Sequence, residues 1–341
     1  MRRILIIKPS SLGDIMQAFP AVWALRRRYP YSRISWAVKR EWEDLVHLAE
    51  GVDDVIPLDR GLFGWVRQVP GIRAQEYDAV IDLQGLLRSG LLARVSEAPI
   101  RVGFANGREG SPFCYTHKVR VPSPDMHAVL RYLLAVEVVG AKVDGAPEFR
   151  FRAMDREFLD VMTLLKSHGI GIGTRWVAMQ VSARWPTKQW PPERFADTAN
   201  RLSREGLGPV VLIGGPTDRP VVEQVKAGLQ TPVVDLTGLV PLRCLPVLLK
   251  EAALLVTNDS GPMHIAAAMG TPVVALFGPT SPDRTGPFGE GHVVLTHDVA
   301  CRPCFRRECH HTIDRECLTA ISTTRVCEAA RQRLALLHVS R

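Results

Sequence analysis

The sequence contains no uninterrupted apolar run of about 18 residues, the length that a membrane-spanning helix requires. Two arginines open the chain, but the apolar stretch behind them covers only residues 4–7, and no small-residue cleavage motif follows it. Internal repeats and low-complexity segments are also missing. We therefore expect a cytoplasmic protein, and the length of 341 residues predicts two domains of ordinary size.

Several widespread catalytic signatures are missing as well. No G-x-G-x-x-G follows the first apolar strand, and the chain has no GxxxxGK[ST] phosphate loop, no HExxH zinc helix and no GxSxG nucleophile turn. Hydride transfer, nucleotide hydrolysis and serine hydrolysis therefore lose support. The GIGIGT run at residues 169–174 precedes a strand instead of following one, so it indicates a linker.

What the sequence does contain is a regular alternation of strand-like and helix-like segments, which predicts α/β domains with doubly wound parallel sheets. The predicted strands are 3–8, 33–39, 53–59, 77–85, 176–182, 208–215, 253–259 and 271–278. Helices are expected between them, the first at 15–29 with a kink at Pro20. The pattern predicts a first domain at 1–160, a second at 172–325 and a closing helix at 326–341.

Ligands of such sheets bind beyond the carboxyl ends of the strands, so the turns after the strands are the candidate sites. In TNDSGPMH, residues 257–264, Asp259, Ser260 and Gly261 lead from a strand into a helix, with His264 one turn further. A helix start of this kind offers free N–H groups and positive potential to a diphosphate. The alternative is a well-capped turn with a buried histidine.

Two further turns carry polar side chains that suit a nucleotide. After the strand at 176–182 the loop holds Ser182, Arg184 and Lys188, a hydroxyl and two cations that suit a leaving diphosphate. A solvated basic loop is the alternative. Asp218 follows a glycine turn and could accept hydrogen bonds from ribose hydroxyls, although a lone acid there is also typical of a helix cap.

The formal net charge of +8 is concentrated at the two ends of the chain. Residues 1–150 hold 21 lysines and arginines against 17 acids, and residues 301–341 hold 8 against 4, whereas the middle is balanced. This excess suits a polyanionic partner such as an anionic lipid surface or a phosphorylated substrate, the alternative being a generally basic surface. No RNA-binding signature accompanies it, so nucleic acid is not expected.

Four of the seven cysteines follow the spacing C-x2-C-x4-C-x7-C, at Cys301, Cys304, Cys309 and Cys317. A cytosolic setting argues against disulfides. Four thiolates this close could bind zinc or iron tetrahedrally, although the spacing is not that of a standard zinc ribbon. A reduced, metal-free loop is the alternative.

Four blocks of the sequence resemble glycosyltransferase family 9, the bacterial ADP-heptose:lipopolysaccharide heptosyltransferases. They are KPSSLGD, DAVIDLQGLLRSG, PTKQWP and the long TNDSGPMHIAAAMGTPVVALFGPTSP. The resemblance implies the GT-B fold, in which two Rossmann-like domains face each other, the first binding the acceptor and the second the nucleotide sugar. It also implies a C-terminal helix that returns to the first domain.

The activity that the resemblance implies is inverting transfer of L-glycero-D-manno-heptose from ADP-heptose. The acceptor is Kdo–lipid A or a heptose already on that inner core, which brings transient contact with the inner leaflet. No cofactor is required, although some relatives that glycosylate proteins bind iron at a similar cysteine-rich tail. Another acceptor such as a protein stays open, as does a non-catalytic polyanion-binding protein, and which heptose is added is undecided.

Roles for individual residues also follow from the resemblance. Asp14, on the SSLGD turn, matches the proposed general base, while the alternative is a cap of the helix that follows. On the donor side Lys188 and the helix start at 259–261 stabilise the diphosphate. Ser182, His264 and more loosely Asp218 line the same donor site, and Arg184 is added on chemical grounds. The expected acceptor contacts are Ser10, Ser11, Arg60, Arg88 and Arg120.

Overall fold

The structure is a computed structural model, and it describes residues 1–336 apart from the side chain of Leu62. The chain divides into two compact units, the first Met1–Ala153 and the second beginning at Met154. Each unit is built on one six-stranded parallel sheet with helices packed on it, so the predicted α/β class with doubly wound sheets is confirmed.

The first sheet has the strand order β3-β2-β1-β4-β5-β6, which reverses direction between β1 and β4. Its strands are almost continuously apolar because a parallel sheet is covered on both faces. Their bounds are β1 Arg3–Ile7, β2 Arg33–Lys39, β3 Asp54–Leu58, β4 Ala79–Asp82, β5 Ile100–Phe104 and β6 His117–Val119. The first four were predicted; β5 and β6 were missed.

Seven helices are described in the first unit, and the predicted helix at 15–29 is two of them. They meet at Ala18, two residues before Pro20, whose ring cannot be accommodated inside a continuous helix. The bounds are α1 Leu12–Gln17, α2 Phe19–Arg28, α3 Glu43–Val46, α4 Gly61–Val66, α5 Val69–Ala74, α6 Leu87–Val95 and α7 Ala128–Glu137.

The second sheet repeats this topology, with the order β12-β11-β10-β7-β8-β9 and its reversal between β7 and β10. The prediction missed its two outermost strands, β9 and β12. The bounds are β7 Val177–Gln180, β8 Val210–Ile213, β9 Val234–Asp235, β10 Leu254–Asn258, β11 Val273–Phe277 and β12 Val293–Thr296. In each sheet, ligand chemistry is therefore expected at the carboxyl ends of the strand pair where the order reverses.

The second unit begins earlier than the sequence analysis expected, because its first helix lies before residue 172. Helix α8 belongs to this unit, because Arg243 lies 3.2 Å from Asp160 and the helix packs on α11. The division therefore falls at residues 153/154. The bounds are α8 Asp155–Ser167, α9 Pro192–Arg204, α10 Arg219–Ala227, α11 Leu245–Glu251, α12 Gly261–Ala268, α13 Pro282–Thr285, α14 Glu316–Thr319 and α15 Thr323–Leu336.

Helix α15 packs inside the second unit, and this differs from the expected return to the first domain. Its buried side chains, among them Val326, Ala330 and Leu334, join the same apolar cluster as Phe195 and Leu202 of α9. This packing explains the difference, because the apolar face of α15 is already covered by α9 and the sheet. The last five residues of the predicted helix at 326–341 lie outside the described residues.

A buried asparagine ties the reversal point of the second sheet to the loop that follows β7. Asn258, at the end of β10, accepts a hydrogen bond from the Trp190 backbone N–H at 3.0 Å and donates one to the Val181 carbonyl at 2.9 Å. Both backbone groups lie away from solvent, where unpaired polar groups are costly. Asn258 therefore fixes the path of residues 181–190 relative to β10.

Replacing Asn258 by leucine should lower the unfolding free energy of the second unit by about 2–4 kcal/mol. The leucine fills a similar volume but leaves the Trp190 N–H and the Val181 carbonyl without their partner. Denaturant unfolding followed by tryptophan fluorescence measures the change. The exposed Gln224→Ala on α10 is the control and should stay within about 0.5 kcal/mol of the parent. Equal stabilities would contradict the assigned role of Asn258.

Candidate functional site

At the reversal point of the first sheet, the turn after β1 presents the carboxylate of Asp14. The Ser11 hydroxyl and the Ser11 backbone N–H both donate to Asp14 Oδ2, at 2.7 Å and 2.9 Å. Helix α1 begins at Leu12 with Ser11 as its N-cap, and Asp14, the third residue of the helix, takes part in a capping box by accepting the Ser11 N–H. Its side chain is 37% exposed and therefore remains accessible to a ligand.

Beside Asp14 lies a buried lysine that the sequence analysis did not single out. Lys8 Nζ is 3.7 Å from Asp14 Oδ1 and 5.2 Å from the centre of the Tyr132 ring. Tyr132, from α7, donates its hydroxyl to Asp14 Oδ1 at 3.4 Å. Burial by itself lowers the pKa of Lys8, but Asp14, Tyr132 and Asp82 outweigh it, so the pKa is raised. The ammonium is therefore charged at neutral pH.

A second carboxylate at this reversal point is enclosed. Asp82, the last residue of β4, accepts hydrogen bonds from the Tyr115 hydroxyl at 2.7 Å and from the backbone N–H groups of Gln84 and Gly85. Burial raises its pKa in spite of these donors. Of these two carboxylates, only Asp14 is open to a substrate, and Asp82 serves to fix the turn after β4.

The predicted acceptor residues follow strands of this one sheet. Ser10 lies on the turn before α1, Arg60 follows β3, Arg88 lies in the first turn of α6 and Arg120 follows β6. Arg60 lies 3.3 Å from Glu41, and Arg88 stacks on the Trp65 ring at 5.3 Å. Because parallel strands end at the same edge, all of these cations share the edge that carries Asp14. Lys39, Arg40 and Arg108 lie there too, and the sequence analysis missed them.

At the reversal point of the second sheet, a short ion pair joins two predicted residues. Lys188 Nζ lies 2.6 Å from Asp259 Oδ2, and both side chains are largely buried. Thr280 donates its hydroxyl to the same carboxylate oxygen at 2.6 Å. The carboxylate of Asp259 therefore fixes the position of the Lys188 ammonium.

Ser182 and Asp218, also predicted, are joined by a residue that the sequence analysis missed. The Gln180 amide donates to Ser182 Oγ at 2.8 Å and, at 3.4 Å, to Asp218 Oδ2. Asp218 also accepts the Gly215 backbone N–H at 2.8 Å. A Cβ on Gly214 would lie 2.9 Å from that carboxylate, so the glycine leaves room for the Asp218 side chain. These side chains form one polar row beyond β7 and β8.

The start of α12 completes this region. Ser260 is the N-cap residue in an extended conformation, and its hydroxyl lies 3.1 Å from Thr257 Oγ1. Gly261 opens the helix, and His264 is buried in its first turn. The first N–H groups of a helix point out of its end with positive potential, which suits an anion. Arg184 is exposed on the loop after β7.

The four cysteines predicted to bind a metal line one cavity of about 340 Å³, together with His310 and His311. Within residues 1–336, however, no three His, Cys, Asp or Glu side chains are arranged to hold a metal ion. Cys309 Sγ accepts the Arg315 backbone N–H, and burial, helped by the neighbouring thiols, raises the pKa of Cys317 to about 11. All seven cysteines are free thiols, and metal binding by the four clustered ones stays a prediction.

Comparison with known proteins identifies the family of this chain. Over residues 65–313 the chain matches the model of glycosyltransferase family 9 (heptosyltransferase). It is 28% identical over 326 residues to lipopolysaccharide heptosyltransferase 1 of Pseudomonas aeruginosa, covering 90% of this chain and 87% of that one.

Two solved structures share the whole fold. A family 9 glycosyltransferase from Veillonella parvula has a TM-score of 0.84 and 26% identity, covering 98% of this chain and 97% of that chain. ADP-heptose lps heptosyltransferase II of E. coli has a TM-score of 0.81 and 24% identity, covering 99% and 100%. The fold is thus that of the GT-B heptosyltransferases, which confirms the fold prediction.

The architecture of two doubly wound parallel sheets is shared with a solved family 9 glycosyltransferase, and it indicates a transferase enzyme. The chain belongs to glycosyltransferase family 9, the heptosyltransferase family, and it is a glycosyltransferase. The resemblance inferred from the sequence is therefore confirmed.

Replacing Lys8 by methionine should lower the unfolding free energy by about 1–3 kcal/mol at neutral pH. Because the folded pKa of Lys8 is raised, its stabilisation is complete below pH 10.5 and is lost as the pH rises through the folded value. The difference in unfolding free energy between the parent and Lys8→Met should therefore shrink above that pH. Denaturant titrations at several pH values measure it.

A matched control is Lys142→Met, which removes an exposed lysine paired with Glu137 at 3.6 Å. Exposed pairs contribute only about 0–1 kcal/mol, so this variant should remain close to the parent at every pH. A loss of stability in Lys8→Met that does not change with pH would mean that Lys8 acts through packing alone.

Proposed function

We propose that this enzyme transfers L-glycero-D-manno-heptose from ADP-heptose to the Kdo or heptose residues of the lipopolysaccharide inner core, with inversion at the anomeric carbon. The names of its relatives supply the substrate class. The observation that carries the mechanism is Asp14, an open carboxylate held beside a buried ammonium at the reversal point of the first sheet.

Inverting transfer needs one base, and the surroundings of Asp14 suit that role. The Lys8 ammonium lies 3.7 Å from its Oδ1, and the Ser11 hydroxyl donates to its Oδ2 at 2.7 Å, so the carboxylate is held in place. As the acceptor hydroxyl oxygen bonds to the anomeric carbon, its proton passes to Asp14 and the bond from that carbon to the phosphate oxygen breaks. The electron pair of the broken bond leaves with ADP.

Negative charge develops on the departing diphosphate, and the second unit supplies a cation that stabilises it. Lys188 is pre-oriented by Asp259, and the start of α12 adds backbone N–H donors. Such groups stabilise a transition state strongly because they need no reorganisation when the charge develops. The row of Ser182, Gln180 and Asp218 is assigned to the nucleoside part of the donor. The proposed mechanism invokes no cofactor.

The acceptor is assigned to the basic edge of the first sheet. Kdo carries a carboxylate and lipid A carries phosphates, so the acceptor presents several anions to Arg60, Arg88 and Arg120. Ser10 and Ser11 lie next to the proposed base and are assigned to the acceptor hydroxyl. A lipid acceptor places the enzyme at the cytoplasmic face of the inner membrane, which we propose as its working location.

Asp14→Asn should lower kcat for heptose transfer by about 10³-fold, within the range expected for loss of a general base, while ADP affinity stays within about twofold. Mass spectrometry of Kdo–lipid A, and of the same acceptor bearing one heptose, would report the added heptose. Asp44→Asn is the matched control, since Asp44 also stands in the first turn of a short helix, α3, and should retain turnover.

The outcomes of that assay separate the parts of the proposal. Gain on one acceptor identifies both the reaction and the step, and retained turnover in Asp14→Asn would exclude Asp14 as the base. ADP binding without transfer to either acceptor would contradict the proposed acceptor and leave the assignment of the donor site in place.

Contact with the membrane is proposed for a surface that takes in two exposed segments of the first unit, α4 and residues 111–118. Phe63 on α4 is 86% exposed and Phe113 is 83% exposed. Arg67 follows α4, and Lys118 Nζ lies 5.8 Å from the Phe113 ring. Exposed aromatic rings beside cations suit the interface of an anionic bilayer. Among the described residues, no helix is both long and apolar enough to cross a membrane.

Wild-type protein should float with vesicles rich in phosphatidylglycerol and less with phosphatidylcholine vesicles, and added salt should weaken the interaction. The double variant Phe63→Ser/Phe113→Ser should lose about tenfold or more in affinity, because each ring forfeits apolar burial. Tyr31→Ser is the control, since Tyr31 is 99% exposed in the same unit. Equal flotation of the double variant and the parent would exclude this surface.

A further inference from the structure

The cysteine segment, here residues 299–319, contacts both loops that hold the Lys188–Asp259 ion pair. From these contacts we propose that Arg315 is a positioning residue that fixes the loop of Lys188 for catalysis. The catalytic half of this inference rests on the proposed function, whereas the structural half does not. The mechanism described above assigns no role to this segment, although its cysteines are the most conspicuous cluster in the sequence.

The first set of contacts brackets Lys188. Arg315 Nη1 donates to the carbonyl of Pro186 at 3.3 Å and to the carbonyl of Gln189 at 3.1 Å. The Thr187 hydroxyl donates to the Arg306 carbonyl at 2.8 Å. Carbonyls on both sides of Lys188 are thus tied to one guanidinium, and the residue between Pro186 and Lys188 is tied to the same segment.

A second set of contacts holds the loop on the Asp259 side. The Phe305 N–H donates to the Pro279 carbonyl at 2.9 Å, and Arg302 Nε donates to the Gly278 carbonyl at 3.0 Å. Thr280, the residue after Pro279, donates its hydroxyl to Asp259 Oδ2. One segment therefore fixes the cation through its loop and the carboxylate through Thr280, so the 2.6 Å pair depends on it from both directions.

The backbone of Arg315 indicates that its side chain is used. Its φ of 50° lies in the left-handed region, where glycine or asparagine is conformationally easier. The Arg315 N–H donates to Cys309 Sγ at 3.2 Å, and Arg315 Nε donates to Asp314 at 2.8 Å. An arginine kept in an unfavourable conformation and aimed at two carbonyls is consistent with a positioning role.

The chemical consequence concerns Lys188 more than overall stability. A misplacement of about 1 Å can cost about 10²-fold in rate when a group must meet charge that develops in the transition state. Since the diphosphate gains charge as the sugar leaves, Lys188 should matter more for the transition state than for the bound donor. Losing Arg315 should therefore lower kcat more than it raises the KM for the donor.

Arg315→Gly removes the guanidinium and suits the left-handed backbone, so stability should not fall in step with activity. Hydrogen exchange measured by mass spectrometry should show faster exchange in the peptide that covers residues 183–190. The control is Arg325→Ala, which removes an arginine that also donates to a carbonyl of this unit, that of Thr296. It should leave exchange in that peptide unchanged.

Kinetics test the catalytic half. Arg315→Gly should lower kcat about 10- to 100-fold with less than about a threefold change in the donor KM, and Arg315→Lys should restore part of it. In a Lys188→Met background the Arg315 substitution should have little further effect, because it acts through Lys188. Additive losses would overturn the positioning role.

The two halves fail in different ways. Unchanged exchange in residues 183–190 would overturn the inference whether or not the enzyme turns over. Faster exchange together with unchanged kcat would show that the contact is structural only and would likewise overturn the catalytic half. If wild-type protein transfers no heptose, the proposed function fails, while the exchange experiment still decides whether Arg315 fixes the loop.

Discussion

The ion pair between Lys188 and Asp259 is the interaction on which the second unit's site depends. Taking a lysine and an aspartate out of water costs more than their attraction usually returns, so the pair is a poor device for stability. Its value is that a cation stands ready at the end of β10 without reorganisation. Two polar side chains support the pair. Thr280 donates to the Asp259 carboxylate, and Asn258 fixes residues 181–190, the segment that contains Lys188.

The first unit has the same sheet topology but presents a negative charge at its reversal point. It presents the carboxylate of Asp14, which is 37% exposed, beside the buried ammonium of Lys8. Asp82 shows why burial alone would fail, since its enclosed carboxyl has a raised pKa and no access for a ligand. Each reversal point thus combines a buried charge with an oppositely charged partner. The first unit presents the carboxylate of Asp14, whereas the second presents the ammonium of Lys188.

Sequence reasoning predicted several residues on the turns after strands, but it missed Lys8 and Gln180 at strand ends as well as residues that arrive from elsewhere. Asp14 and Ser260 could be found because a strand, a turn and a helix start are consecutive in the chain. Tyr132 reaches Asp14 from α7, more than a hundred residues away, and no local pattern records that contact. Short elements were missed for a related reason: β6 has three residues and β9 has two, too few to show a period. Pairing with β5 and β8 defines them.

The four cysteines show that a sequence spacing can predict a real cluster of side chains, and the metal site inferred from it stays a prediction. Their sulfurs line one cavity, as the spacing implied, and burial raises the pKa of the Cys317 thiol. What the segment does in the structure is donate and accept hydrogen bonds next to Lys188. The position of the Lys188 ammonium depends on the backbone around it, and the carbonyls of Pro186 and Gln189 on either side of it accept hydrogen bonds from Arg315. The segment that looked separate from the active site is therefore best understood as part of its support.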